Sequence, residues 1–357
     1  MGDIVKIAKE MAEEQGLIPK EKAIKIFIDK SDLAKQFLEI QPLYYDKSKI
    51  WWAWQDKQTK WMLIDETDIL NMIKNNTDRL NTTSSRQKQE ILESLRQESR
   101  LQQPQEIKKS WIQFKDVIID LETEETKIAT ARYFAVNPIP WRLGKTIETP
   151  IMDRLFIDWV GEDNIKTLYQ ILAYCCLPDY PIHRIFCFIG GGCNGKSQFL
   201  KLLRKFIGGY NCTSTELDIL LNSRFEKTRL YKKLVCQMGE TNFNEMSQTS
   251  LLKKLSGGDL IGFEFKNKDP FDAENYAKIL IATNTLPTTT DKTLGFYRRW
   301  MIIDFPNQFS EKTDILLTIP KEEYENLATN CVITLKELLE KRQFHNEGTI
   351  EERMKKI

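Results

Sequence analysis

The chain carries almost no excess charge of either sign: 52 lysines and arginines stand against 51 acids, a net charge of +1 over 357 residues. That balance excludes a globally basic surface, so any contact with nucleic acid must be local. Histidine is nearly missing, with only His183 and His345 present, which disfavours histidine-based metal sites and catalytic triads. The seven cysteines (175, 176, 187, 193, 212, 236 and 331) are odd in number and lack C-x-x-C spacing, which argues against a disulfide scaffold or a zinc site. They are expected to be reduced thiols packed as small hydrophobes. Long apolar runs are absent too. The longest, around Ile185 to Ile189, is far too short to span a bilayer, and the N-terminus lacks the charged-then-apolar pattern of a signal peptide. A cytoplasmic protein without membrane contact is the expectation.

What is present is a chain long enough for two cores. Residues 1–40 read as helices, with Ile4, Ile7, Ala8 and Met11 at helical spacing and Gly16 as a stop. Short β-type runs follow at Leu43 to Tyr45, Ile50 to Trp54 and Trp61 to Ile64, separated by polar turns, so a small meander is expected. Its tryptophans (51, 52, 54 and 61) can stack on bases or fill a small core, and the second is the commoner use. Residues 76–106 suggest a solvated helix with a weak stripe of Ile91, Leu92 and Leu95. A second β-type patch spans Trp111 to Leu121 and returns after an acidic turn; Pro138, Pro140 and Pro150 then mark a linker. Helical periodicity from Ile151 to Leu177 leads into an apolar strand, His183 to Ile189. Beyond it, helices are expected at Lys196 to Ile207, Ser247 to Leu255 and Lys321 to Lys341. Strands are expected at Lys233 to Gln237, Lys278 to Thr283 and Trp300 to Phe305. The alternation implies an α/β core with a mostly parallel sheet.

Chemistry concentrates in Gly190-Gly191-Gly192-Cys193-Asn194-Gly195-Lys196-Ser197, the phosphate-loop pattern between a strand and a helix. Glycines let the backbone N–H groups turn toward a β-phosphate and the helix adds its positive end. Lys196 supplies a cation for the β- and γ-phosphates, and Ser197 a hydroxyl for Mg²⁺. Mg-ATP is therefore the expected ligand. Glu240, at the carboxyl end of an apolar strand, can hold the Mg²⁺ shell or polarise water. Asn284, after Ile279 to Thr283, can orient that water or merely cap a turn. Arg298 and Arg299 precede an apolar strand, where an arginine makes an ion pair or reaches a neighbour's ATP as a finger. Between Glu240 and Asn284, Phe263 to Phe271 reads as a hairpin whose turn carries Lys266 and Lys268 beside Phe265; its lysines can meet a phosphate backbone or simply be solvated.

This order of elements resembles the superfamily 3 DNA helicases, of the primase-helicase type carried by viruses, phages and plasmids. The likeness covers about residues 150–307 and rests on Gly190 to Ser197, Glu240, the run Lys253-Lys254-Leu255-Ser256-Gly257-Gly258-Asp259, Asn284 and Arg298-Arg299. It implies an AAA+ core flanked by helices and preceded by a smaller α+β N-terminal domain. It also implies a ring, usually a hexamer, with ATP at subunit interfaces and translocation on single-stranded DNA. By the same resemblance Lys196 and Ser197 are the nucleotide-binding pair, Glu240 the acid, Asn284 the sensor and Arg299 the finger, with Arg298 in reserve. The hairpin would line the channel, where six copies of a two-lysine tip concentrate roughly twelve positive charges. Domain limits are expected at 1–141, 142–181 (a helical collar), 182–308 (the motor) and 309–357 (a helical tail).

The chain departs from that pattern in having one acid at the second motif, Gly239-Glu240-Thr241, where many relatives have two. It also lacks an acidic-cluster primase domain, so a primase or other replication protein is the expected further partner. Two other functions fit the motifs: an assembly or loading factor that hydrolyses ATP without unwinding, and a small-molecule kinase, for which no acceptor pocket is legible.

Overall fold

Side-chain alternation along five strands sets the layering. In this computed structural model residues 30–76, 84–239, 249–266, 268–286, 291–310 and 315–357 are described; the expected helices before Lys30 lie outside them. The chain divides into two compact units, residues 1–55 with 61–104, and residues 56–60 with 105–357.

The first unit contains α1 (Lys30–Ile40), strands β1 (Leu43–Tyr45), β2 (Trp51–Gln55) and β3 (Lys60–Ile64), then α2 (Glu66–Asn76) and α3 (Ser85–Leu101). The strands form the expected meander, with Leu43 opposite Ala53 and Tyr45 opposite Trp51. Asp46 fixes its first turn by accepting from Ile50 N at 3.0 Å and Trp52 Nε1 at 2.9 Å. All four tryptophans are buried, at 2–6% exposure, so they fill core and offer no stacking face. The stripe on α3 is also put to use, because Ile91, Leu92 and Leu95 bury against Phe37, Leu38 and Ile73. Ser84 starts that helix with a reciprocal capping box to Gln87.

The second unit opens with a three-stranded antiparallel sheet, β4 (Trp111–Gln113), β5 (Val117–Asp120) and β6 (Thr126–Ile128). Helices α4 (Pro150–Val160) and α5 (Ile165–Cys175) follow, parted by Gly161 at φ +80°. The main sheet is built from β7 (Ile185–Ile189), α6 (Lys196–Ile207), β8 (Cys212–Ser214), α7 (Leu217–Asn222), β9 (Val235–Met238) and α8 (Thr249–Leu255). Next come the hairpin β10 (Leu260–Phe263) and β11 (Phe271–Glu274), β12 (Lys278–Thr283), α9 (Leu294–Tyr297) and β13 (Trp300–Asp304). Helices α10 (Lys321–Lys341) and α11 (Ile350–Lys356) end the chain.

Strand order in the main sheet is β13-β7-β12-β9-β8, and every pairing is parallel. Phe186, Phe188, Leu280, Ala282, Met301 and Ile303 face α4, α5, α6 and α10. Ile185, Cys187, Ile279, Ile281 and Trp300 face the other way, toward α7, α8, α9 and the hairpin. Both faces are covered, as a parallel sheet requires, and β12 is buried at all six positions. Lys278 begins that strand with its side chain fully buried; it donates to Leu177 O and lies 5.0 Å from the Tyr174 ring centre, and burial pulls its ammonium down to about 8.

The boundary between units falls at Pro104 and not near residue 141, because Ile112, Phe114, Ile119, Leu121 and Ile139 join the same apolar cluster as α4, α5 and α6. The collar helices belong to that cluster as well. Five of the cysteines are buried as expected, whereas Cys193 is exposed and Cys212 half-buried.

Helix α10 locks α4 in place. Thr149, at the N-cap of α4, makes no capping bond, and its hydroxyl pairs instead with Tyr169. The buried Glu323 carboxylate does the capping, accepting from Ile151 N at 2.9 Å and Met152 N at 3.0 Å. Replacing Glu323 with Ala should lower unfolding free energy by about 2–3 kcal/mol in urea titration, and Gln should cost less than half of that.

Candidate active site

The carboxyl ends of β7 and β12 lie side by side, with Thr283 paired to Ile189, and each strand delivers part of the site there. From β7 the chain turns through Gly190 to Gly195 into α6. Three residues of that turn have positive φ: Gly192 at 101°, Cys193 at 47° and Gly195 at 92°. Two glycines are demanded by close approach. A Cβ on Gly190 would sit 1.7 Å from Asn194 Nδ2 and 2.6 Å from Phe305 O, and one on Gly195 would sit 2.3 Å from Trp159 Cδ1. Asn194 Nδ2 donates to Phe305 O at 3.3 Å, and Phe309 N donates to Cys193 O at 2.7 Å, so the segment after β13 braces the loop from one side. Trp159, at the end of α4, braces it from another. Neither brace is legible from the motif, since both partners lie far away in sequence.

Lys196 is buried to 5% exposure. Its Nζ donates to Gly190 O at 2.6 Å, Asn194 Oδ1 at 3.1 Å and Asn284 Oδ1 at 3.2 Å. The lysine and the asparagine, 88 residues apart, thus meet. Ser197 is exposed in the first turn of α6, where backbone N–H groups lack helical partners. Glu240 lies outside the described residues, but the strand leading to it, β9, is the other neighbour of β12, with Met238 beside Ile281.

Arg298 and Arg299 sit elsewhere. They precede β13, and Arg299 O accepts from Ile185 N at 2.6 Å, which places the pair at the amino ends of the strands. A five-residue strand separates the two edges by roughly 16 Å, so these arginines do not touch Lys196. Arg298 is exposed, while Arg299 is 8% exposed and donates to Gly295 O with its Nε unpaired. Burial and then Arg298 lower its pKa, although a guanidinium remains charged. His183, next to this cluster, is held below its ordinary value by burial and by Arg299, Arg298 and Arg184.

The hairpin is placed as expected, but its strands run four residues each, Leu260–Phe263 against Phe271–Glu274. Lys266 and Lys268 are exposed at the turn; Asn267 lies outside the described residues. Phe265 is half-buried, with Lys268 Nζ 6.0 Å from its ring centre. It stacks on Phe271 and meets Tyr231, which also packs on Phe263 and Phe271. A cavity of about 500 Å³, lined by Lys109, Tyr180, His183, Tyr231, Lys232 and others, opens at the amino ends of the strands and shares no residue with the glycine loop.

The sheet and its flanking helices define a mixed α/β protein, and comparison with known proteins adds to that reading. Residues 188–299 match the profile of a family of unknown function, DUF5906. The match opens on Phe188 and closes on Arg299, so it brackets the glycine loop, Asn284 and the arginine pair. Over 162 residues the chain is 23% identical to the Putative helicase L207/L206 of Acanthamoeba polyphaga mimivirus, a stretch covering 43% of this chain and 17% of that protein. The chain thus spans only a small part of that relative's length. The A form apo structure of the NrS-1 C terminal region aligns with a TM-score of 0.56 at 16% identity, covering 88% of this chain and 75% of that one. A second apo structure of the region gives 0.57 at 17% identity over the same shares. At such identities the likeness is one of fold. No helix among the described residues is long and apolar enough to cross a membrane.

Gly195→Ala should lower thermal stability, because a side chain there meets both the Trp159 ring and an unfavourable φ. In a Trp159→Ala background only the φ component, about 1–2 kcal/mol, should remain; an equal cost in both backgrounds would mean that the indole is not what excludes the side chain.

Proposed function

We propose that this chain is an ATP hydrolase of the superfamily 3 helicase type, an AAA+ motor that acts as a ring, in a hexamer, on single-stranded DNA. The observation that carries the reading is the meeting of Lys196 with Gly190 O, Asn194 Oδ1 and Asn284 Oδ1 at the carboxyl edge of a parallel sheet. Carbonyl and amide oxygens are among the partners of this ammonium at the mouth of a helix N-terminus, places that phosphate oxygens can take over. The glycine loop offers backbone N–H groups, Lys196 exchanges its carbonyl and amide partners for the β- and γ-phosphates, and Asn284, released, orients water. Ser197 and Glu240 are the residues to hold Mg²⁺, which neutralises charge on the same oxygens.

The arginines' distance from Lys196 supports the ring. At the opposite edge of the sheet they serve a neighbour's triphosphate and not their own, with Arg299 as the finger and Arg298 beside it. Arg299 gives up one carbonyl contact to do so, and its unpaired Nε gains a partner. Similarity to a putative viral helicase favours work on nucleic acid over small-molecule phosphorylation. The cavity does not rescue the kinase reading, because it lies at the wrong edge of the sheet. A primase or other replication protein is the further partner this role calls for.

Lys196→Ala should abolish hydrolysis, and Arg299→Ala should abolish it while sparing nucleotide binding. Mixing the two variants should restore part of the rate, through interfaces that pair an intact loop with an intact arginine. Full-rate hydrolysis by a species whose native mass is that of one chain would sink the ring. A strand-displacement assay separates the motor from a loading factor, which would hydrolyse ATP without separating strands.

At the hairpin, Lys266→Ala with Lys268→Ala should leave basal hydrolysis intact and reduce stimulation by single-stranded DNA. The dependence of log affinity on log salt should flatten by roughly 1.4, two phosphate contacts on a single strand. An unchanged slope would remove the hairpin from the DNA path.

A further inference from the structure

The C-terminal segment ends on the arginine pair. Arg353, on α11, is 4% exposed and spends its guanidinium on three backbone carbonyls: Arg298 O through Nη1, Gly348 O through Nη2 and Glu347 O through Nε, each at 2.9 Å. Glu347, 9% exposed, grips Arg184 with both carboxylate oxygens, at 3.0 Å to Nε and 3.0 Å to Nη2, and lies 3.3 Å from Arg353 Nη2. Arg184 directly precedes Ile185, whose N–H donates to Arg299 O. The contacts close a circuit through Arg298, Arg299, Ile185, Arg184, Glu347 and Arg353. Both carbonyls of the arginine pair are therefore pinned, one by the tail and one by β7.

Four arginines are gathered here, three of them with little solvent, around the Glu347 carboxylate, with Asp259 near Arg299 and Glu352 near Arg353. Such a gathering carries like-charge and desolvation costs that apolar packing would avoid, and a clasp serving stability alone has no need to finish on Arg298. Burial followed by Arg184 lowers the pKa of Arg353, in keeping with that cost. The segment is prepared for the task. Thr349 and Glu352 form a reciprocal capping box at the start of α11, and Gly348, at φ +70°, turns the chain into it.

We propose that Arg353 and Glu347 are positioning residues for Arg298 and Arg299, so that the tail sets how the pair is presented to the neighbouring subunit's triphosphate. The inference rests on the trans-acting arginines of the proposed function. Positional error of about an ångström at a reacting centre is worth up to a hundredfold in rate. Arg353→Gln in the full chain should therefore lower kcat for ATP by roughly ten- to a hundredfold with KM little changed, and Arg353→Lys, which can still reach Arg298 O, should recover part of it. Mixed with Lys196→Ala, Arg353→Gln should regain hydrolysis as Arg299→Ala does, because each partner supplies what the other lacks.

Loss of nucleotide binding in Arg353→Gln, or failure of the mixture to recover, would overturn the proposal, since a folding defect is not complemented in trans. A rate within twofold of the parent would overturn it too. Should Arg353→Gln not fold, Glu347→Gln takes its place, keeping shape while removing charge, with the same expected kcat loss and the same complementation. Full activity of Arg299→Ala would instead refute the trans-acting arginines themselves, an outcome distinct from an inactive Arg299→Ala beside a fully active Arg353→Gln.

Discussion

Two missing side chains hold the site together. Between Gly190 and Gly195 the backbone passes so close to Asn194, Phe305 and the Trp159 ring that even a methyl group has no place. That closeness lets Asn194 reach Phe305 O with one end of its amide and Lys196 with the other. A single asparagine thus links the segment after β13, the glycine loop and the lysine, and the lysine in turn reaches β12 through Asn284. Loosening either glycine position would shift these three contacts together, and on the Gly195 side the loop is backed by the Trp159 indole.

The sheet turns this local constraint into a division of labour between its edges. Parallel strands send all their carboxyl ends one way, so the lysine, the serine and the asparagine gather at one edge while the arginine pair is left at the other. Near-perfect charge balance across the whole chain is compatible with this arrangement, because each edge needs only a few cations in fixed places.

Residues that belong to a local pattern were legible, and those that matter only through a contact with a distant segment were not. Lys196–Ile207 and Lys321–Lys341 matched their expected limits because periodicity and punctuation coincide there. So did Lys278–Thr283, an apolar run bounded by polar residues. The edge strand Cys212–Ser214 and the short helix Leu217–Asn222 escaped notice, being too brief to show a period. Ile350–Lys356 was also missed, although Thr349-x-x-Glu352 carries a capping signature. The glycine loop, Lys196 and Asn284 could be named from the chain alone, and the structure brings them together. Trp159 and Arg353 could not, because what makes them matter is a contact with Gly195 and with Arg298. Local composition and packing also point to different places: prolines around Pro140 suggest a linker, whereas Phe114 and Ile139 pack into the core beside α4 and the compact units meet at Pro104.

The hairpin shows how stiffness is distributed. Its ladder is only four residue pairs long, from Leu260 opposite Glu274 to Phe263 opposite Phe271, too few to carry much force by hydrogen bonds alone. Below the tip, Phe263, Phe265 and Phe271 stack in sequence and Tyr231 abuts all three. The tip is thus tied to Tyr231 by ring packing as well as to its own strands by the ladder. Sliding the rings apart gives up dispersion contact gradually, whereas a hydrogen bond fails over a fraction of an ångström. An arm packed this way is held by ring contact along its flank as well as by its ladder, so its position depends on Tyr231, a residue outside both of its strands.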